Sequence, residues 1–152
     1  MNLTSSDNFL SLLAGQWTGK ETIASSKWGA GGTAVSIVSS RLDFNGRALI
    51  QDYRAERDGK IWLTAHAIFV FDESNASCNL FWFDSLGFVP TQPAPGVRDG
   101  NTCNFVRTSP RGQTRHTYSF PEDNKYHLLL ESSFDGGATW VQIMDGTYSR
   151  TS

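Results

Sequence analysis

The chain has 152 residues and a formal net charge of -2, from 13 Lys and Arg against 15 Asp and Glu. The basic residues stand singly between acidic ones, whereas a nucleic-acid-binding protein usually presents a basic face, so we expect no nucleic-acid partner. No apolar run is long enough to cross a membrane and no secretory signal opens the chain. We therefore expect one domain over residues 1–152, in the cytoplasm and without a membrane partner.

A short helix is predicted over residues 7–14. It follows three residues that can cap a helix start, Ser5, Ser6 and Asp7. Its apolar stripe has helical spacing and consists of Phe9, Leu10, Leu12 and Leu13. Gly15 ends it. Because two helical turns are marginally stable alone, this helix is expected to cover one end of a sheet or barrel.

The first strand begins with Trp17. Side chains alternate along a strand, so Trp17, Gly19, Glu21 and Ile23 share one face. The other face looks solvated, and the Trp17 face is expected to point inward. This pattern places the carboxylate of Glu21 beside a cavity or close to a cation.

The remainder of the chain is divided by hairpin turns at Asn45-Gly46, Asp58-Gly59, Asp99-Gly100 and Asp135-Gly136-Gly137. We predict strands near residues 16–24, 33–44, 47–57, 60–71, 77–84, 95–98, 101–108, 113–120, 125–133 and 139–149. Sequential hairpins of this kind close most simply as an all-β, antiparallel up-and-down barrel, here over residues 15–149. The segment 85–95, which contains three prolines, is predicted to be a loop at the barrel mouth or a lid.

The chain resembles the calycin group, which includes lipocalins, fatty-acid-binding proteins and nitrobindins. The resemblance rests on Gly15-Gln16-Trp17 after a short helix, on the ten-strand meander and on the terminal Tyr148-Ser149-Arg150. More specifically, nearly the whole chain is similar to a largely bacterial, lipocalin-like family known as domain of unknown function 1579. The matching stretches are residues 13–17, residues 82–87 and the segment from Glu131 through Met144 to Arg150. In lipocalins the Trp of the first strand packs under a late Arg, so the resemblance implies that Trp17 and Arg150 close the barrel base.

Two consecutive segments, from Ile61 to Phe71 and from Leu80 to Asp84, are apolar on both faces. One face must line the barrel, and the second must meet the helix, a lid or another subunit; a homodimer is the simplest of these. Periodicity alone leaves open which face is internal. For the cavity we select residues that combine aromatic walls with few polar groups. This predicted ligand-binding set is His66, Trp82, Asp84, His116, Tyr118 and Glu131.

The predicted function is binding of a small apolar or amphipathic ligand in the barrel cavity. One alternative is a small enzyme of the isomerase or hydrolase type, with His66 or Asp84 as general base and Tyr118 as proton donor. Another is a dimeric interaction protein whose interior is filled by its own aromatic side chains. Asp84 could also simply cap the turn into the long loop.

No metal or cofactor is predicted. The three histidines, His66, His116 and His127, lack the spacing of a metal-ligand motif. Nitrobindins ligate haem iron through a His near the last strand, where this chain has Ile143 and Met144. Cys78 and Cys103 suit two free thiols in a reducing compartment, although the sequence leaves a disulfide between them open.

Overall fold

The computed structural model describes residues 5–26, 29–74, 77–87 and 89–151, with backbone alone for residues 5–8. The all-β prediction is confirmed: ten antiparallel strands form a closed barrel after one short helix. The elements are α1 (Ser5–Leu13), β1 (Gly15–Ile23), β2 (Gly32–Asp43), a 3-10 turn (Phe44–Gly46), β3 (Ala48–Arg57), β4 (Lys60–Asp72), β5 (Ser77–Asp84), β6 (Ala94–Asp99), β7 (Thr102–Ser109), β8 (Gly112–Glu122), β9 (Lys125–Ser133) and β10 (Val141–Arg150). The capping roles expected of Ser5, Ser6 and Asp7 concern side chains outside the described part.

Each strand pairs with the next along the chain, and β1 pairs with β10 to close the barrel. In that closing ladder Trp17 lies opposite Arg150 and Glu21 lies opposite Gly146. The predicted turn at Asp58-Gly59 has positive φ at both residues, 53° and 76°. Such values match the twist of the strands that a two-residue hairpin joins. Closure pairs β1 and β10 on both sides, which protects the strand edges from other chains.

Helix α1 closes one end of the barrel, called here the helical end. Its residue Phe9 is buried, and the Phe9 ring lies 5.9 Å from the ring of Phe69, 5.7 Å from Phe105 and 5.8 Å from Phe120. These edge-on contacts between aromatic rings are favourable beyond the area that they bury. The packing explains why a helix of nine residues, marginal by itself, is retained.

A cation–aromatic pair fastens the helical end to the closing ladder. The guanidinium of Arg150 lies 4.2 Å from the ring of Trp17 and donates to the backbone oxygens of Leu12 and Ala14 at the end of α1. The indole Nε1 of Trp17 donates to the Leu13 oxygen over 2.8 Å. Helix, first strand and last strand are therefore held at one point.

The inner face of β4 consists of Ala65, Ala67, Phe69 and Phe71, which are all buried. This settles the question that periodicity left open. The outer face of β4 and β5 remains apolar, and Phe83 is 41% exposed there. None of the helices in the described ranges is long and apolar enough to cross a bilayer.

Replacing Trp17 by Ala should lower the free energy of unfolding by about 3–5 kcal/mol, the usual effect of truncating a buried aromatic residue. Chemical denaturation followed by circular dichroism measures this change. Trp62→Ala is the matched control, because Trp62 lies on the outer wall and is 37% exposed. Equal destabilisation by the two variants would contradict the anchoring role of Trp17.

The apolar outer face of β4 and β5 leads us to expect a homodimer in solution. Light scattering at micromolar concentration should give twice the mass of one chain. Phe83→Lys should shift the mass toward that of the monomer, because a charged side chain in an apolar interface is costly to desolvate. A wild-type monomer would contradict the expectation.

Candidate functional site

The end of the barrel opposite α1, called here the distal end, carries small and apolar inward side chains. Ala34, Ala55 and Ala65 are buried there on three neighbouring strands, and each leaves more room than a larger residue would. Three partly buried side chains pack against the core at the same end, namely Ile23, Leu63 and Leu130. The distal end thus has apolar walls, in contrast to the aromatic filling of the helical end.

Four inward side chains form a polar group at this end, called here the distal cluster: Trp82, Asp84, Arg107 and His116. Arg107 Nε donates to His116 Nε2 over 2.9 Å, and its guanidinium lies 5.8 Å from the Trp82 ring centroid. The rings of Trp82 and His116 are 5.1 Å apart. Trp82 Nε1 donates to Asp84 Oδ2 over 2.8 Å. The strands β5, β7 and β8 therefore bring an imidazole, a guanidinium, an indole and a carboxylate together.

His116 is fully buried and neutral at physiological pH. Burial and the nearby guanidinium of Arg107 both lower the pKa of His116 well below its ordinary value. Since His116 Nε2 accepts from Arg107, the proton of the neutral ring resides on Nδ1. Among the described residues, neither His116 Nδ1 nor the hydroxyl of Tyr118 has a hydrogen-bond partner. Two buried donors beside the distal cluster thus lack an acceptor.

The charge of Arg107 has only distant compensation from the protein. Burial lowers the pKa of Arg107, whereas the charge of Asp84 raises it. No carboxylate of the described residues lies within salt-bridge distance, 4.0 Å, of this guanidinium. Asp84 accepts instead from Trp82 and, over 3.0 Å, from the backbone N–H of Leu86. Asp84 therefore caps the turn into the long loop, as considered from the sequence, and also belongs to the distal cluster.

Five ring contacts, together with hydrogen bonds to Glu21, form a closed circuit inside the barrel, called here the aromatic belt. His116 stacks near Tyr118 at 6.3 Å, and Tyr126 stacks on Tyr148 at 4.4 Å. Tyr53 lies 6.0 Å from Trp82, and Tyr118 lies 6.2 Å from Tyr126. The belt thus consists of Tyr53, Trp82, His116, Tyr118, Tyr126 and Tyr148. It separates the phenylalanine-rich helical end from the distal end.

Glu21 completes the belt. Its carboxylate is buried, 2% exposed, and accepts from the Tyr53 hydroxyl over 2.6 and 2.8 Å and from the Tyr148 hydroxyl over 2.5 Å. Burial and Glu21 raise the pKa of both tyrosines, so each stays protonated and donates. The expected inward position of Glu21 is confirmed by its burial. Its partners are tyrosine hydroxyls rather than a cation.

Glycine makes room for the Tyr148 ring. A Cβ atom at Gly19 would lie 2.3 Å from Tyr148 Cε2, and one at Gly146 would lie 2.6 Å from the Tyr148 hydroxyl oxygen. The ring therefore lies flat against two glycines on the closing strands. This close approach explains why a glycine stands at position 19, two residues after Trp17.

The structure brings four of the six predicted ligand-binding residues together and separates two. Trp82, His116 and Tyr118 are buried inside the barrel, and Asp84 ends the same inner face of β5. His66 lies on the outer wall instead, because its neighbours Ala65 and Ala67 point inward. Its exposed ring is paired with Asp52 over 2.7 Å.

Glu131 also lies on the outer wall, where Arg115 Nη2 approaches it to 2.9 Å. Arg115 lies in turn 4.2 Å from the ring of Trp140. The pairing of Glu131 with Arg115 that the sequence suggested therefore exists, but outside the cavity. The reason is parity: on β9 the inward residues are Tyr126, Leu128 and Leu130.

Sequence reasoning missed Arg107, the one guanidinium in the distal cluster. The available signal was alternation on β7, where Cys103 and Phe105 are buried and Arg107 continues the same face. Tyr53 and Tyr148 were missed for a different reason. Their convergence on Glu21 joins residues 32 and 127 positions apart in the chain.

Two depressions open on the wall near the distal end. The smaller, about 220 Å³, adjoins the distal cluster and is lined by Thr64, Ala65, His66, Phe83, Asp84 and Ser85. The larger, about 510 Å³, is lined mainly by outward residues of β1 to β3 and by the Asp58-Gly59 turn, away from the cluster. Within the described ranges, no three His, Cys, Asp or Glu residues are placed to hold a metal ion. Cys78 and Cys103 are both buried and are not joined by a disulfide.

The lowered pKa of His116 predicts a specific loss of stability in acid. Unfolded His116 takes up a proton near pH 6.5, but the folded protein resists that proton. Its contribution is therefore complete above about pH 6.5 and falls, by at most about 1.4 kcal/mol per pH unit, as the pH decreases toward the folded pKa. Urea denaturation between pH 8 and pH 5 measures this slope.

His116→Gln should flatten that slope, whereas the control His66→Gln, on the outer wall, should retain it. An equal slope in wild type and His116→Gln would show that another group is responsible.

Comparisons with known proteins agree with this architecture. The structure of the S-type phycobiliprotein lyase CPES from Guillardia theta aligns with a TM-score of 0.71 and 8% identity, over 96% of this chain and 92% of the lyase. The crystal structure of Rv2717c from M. tuberculosis aligns with a TM-score of 0.71 and 12% identity, over 99% and 100% of the two chains. At these identities the likeness shows the fold alone.

A search of curated proteins found no match. One family, described as protein of unknown function (DUF1579), matches residues 3–150. That match covers almost the whole barrel and its helix. The chain therefore belongs to the family DUF1579.

Proposed function

We propose that this protein is a lipocalin-like carrier or sensor that binds one small amphipathic molecule at the distal end of the barrel. The ligand's apolar part lies against the walls formed by Leu63, Ala65 and Leu130. Its polar group faces the distal cluster. The aromatic belt forms the floor of the site, so the ligand does not reach the helical end.

The observation that supports this proposal is the pair of buried donors without an acceptor, His116 Nδ1 and the Tyr118 hydroxyl. A buried donor that lacks a partner costs about 1–3 kcal/mol. Natural barrels rarely keep such groups unless water, an ion or a ligand satisfies them. Both belong to side chains of β8 that are two positions apart, where an incoming acceptor group would satisfy them.

The phycobiliprotein lyase that shares the fold is a precedent for function in such a barrel, but it contributes no residue correspondence at 8% identity.

The two alternatives have less support. The enzyme hypothesis loses one candidate base, since the barrel wall separates His66 from Tyr118. The filled-core interaction protein accounts for the helical end and the belt, but not for the unpaired donors. A homodimer and a cytoplasmic location remain predictions from the sequence that are compatible with a carrier.

A neutral probe tests the proposal. 1-Naphthamide should bind one site with a dissociation constant of about 1 mM, since its 13 non-hydrogen atoms at about 0.3 kcal/mol each give about 4 kcal/mol. Saturation-transfer difference NMR measures this affinity. Leu63→Glu should weaken binding at least about tenfold, because it places a carboxylate in the apolar wall.

Leu129→Glu is the control: it adds the same charge on the outer wall of β9, between the inward residues Leu128 and Leu130, and should bind like wild type. Absence of probe binding would refute the distal site, as would equal weakening by the two variants.

A further inference from the structure

We infer that the polar group of the ligand is a carboxylate, bound by the guanidinium of Arg107. This inference rests on the proposed function and specifies its ligand class: a small apolar monocarboxylate. It follows from the charges at the distal end, from the geometry of a guanidinium and from the neighbours of Arg107.

The first step concerns charge. Arg107 is partly buried, and the neutral His116 and the Trp82 face that contact it carry no countercharge. A guanidinium removed from water is stabilised by an anion close to it. The described ion pairs that involve an arginine or a lysine all lie on the outer wall or at a turn. An anionic ligand would supply to Arg107 the negative partner that acidic side chains supply to those residues.

The second step concerns geometry. Arg107 uses Nε to reach His116 Nε2, which leaves the terminal nitrogens for a further acceptor. A carboxylate is planar and can accept two parallel N–H bonds from a guanidinium. The terminal nitrogens of Arg107 are therefore the donors that a ligand carboxylate would meet.

The third step distinguishes among anions. Asp84 is close enough to raise the pKa of Arg107, so a negative charge already lies beside the site. One guanidinium beside one carboxylate suits a monoanion, whereas a phosphate dianion would meet repulsion without a second cation. The chemistry therefore favours a monocarboxylate over a phosphate ester.

The test compares two probes that differ only in the head group, 1-naphthoate and 1-naphthamide, at a pH where the naphthoate is ionised. Wild-type protein should bind naphthoate at least about tenfold more tightly. Arg107→Gln should weaken naphthoate at least about tenfold more than it weakens naphthamide and so abolish that preference, while Arg107→Lys should keep part of it. Arg115→Gln, which removes a guanidinium from the outer wall, should behave like wild type.

Asp84→Asn provides a test of opposite sign. Asn keeps one side-chain oxygen as an acceptor and removes the competing charge, so the ratio of naphthoate affinity to naphthamide affinity should exceed that of wild type. Circular dichroism spectra and melting temperatures verify that each variant is folded. If Arg107→Gln does not fold, the comparison of Arg107→Lys and Asp84→Asn with wild type decides.

The outcomes separate the two proposals. If naphthamide binds at the distal end but naphthoate binds no better, or if the preference survives in Arg107→Gln, the carboxylate inference is overturned and the small-molecule site stands. If neither probe binds, the proposed function fails and this inference fails with it.

Discussion

The contact between Trp17 and Arg150 is the constraint on which the rest of the barrel depends. It joins the first and last strands where the sheet closes, and the same guanidinium holds the final carbonyl oxygens of α1. A barrel closed by residues 133 positions apart orders a long chain at considerable entropic cost. The cation–aromatic contact and the hydrogen bonds of Arg150 supply stabilising interactions at that seam. The helical end is consequently specialised for closure.

The aromatic belt marks the boundary between the helical end and the distal end. Below it, rings from Phe9, Phe69, Phe105 and Phe120 fill the interior as a conventional core. Above it, the buried side chains include the small Ala34, Ala55 and Ala65, and the polar side chains of the distal cluster enter the inner face.

The sequence was sufficient for the fold because its signals are local. Turn pairs such as Asp58-Gly59, the period-two alternation of Trp17 to Ile23 and the stop at Gly15 each depend on neighbours in the chain. The site was harder to predict because it depends on which face points inward. On β4 both faces are apolar, so His66 could be assigned to the wrong side. On β7 the alternation was readable, but Arg107 resembled an ordinary solvated arginine until its partners on β5 and β8 were known.

Glu21 and Arg107 both enter the barrel interior, and the protein treats them differently. The carboxylate of Glu21 accepts hydrogen bonds from two tyrosine hydroxyls, and two glycines leave room for one of those rings, so its hydrogen-bonding capacity is largely met from within the chain. Arg107 receives one contact from a neutral imidazole and no carboxylate at salt-bridge distance. Evolution could compensate an interior arginine as it compensated the glutamate, or replace it with an apolar residue at little cost. An interior cation kept incompletely paired, beside two donors without acceptors, is explained more simply by a partner that arrives from outside.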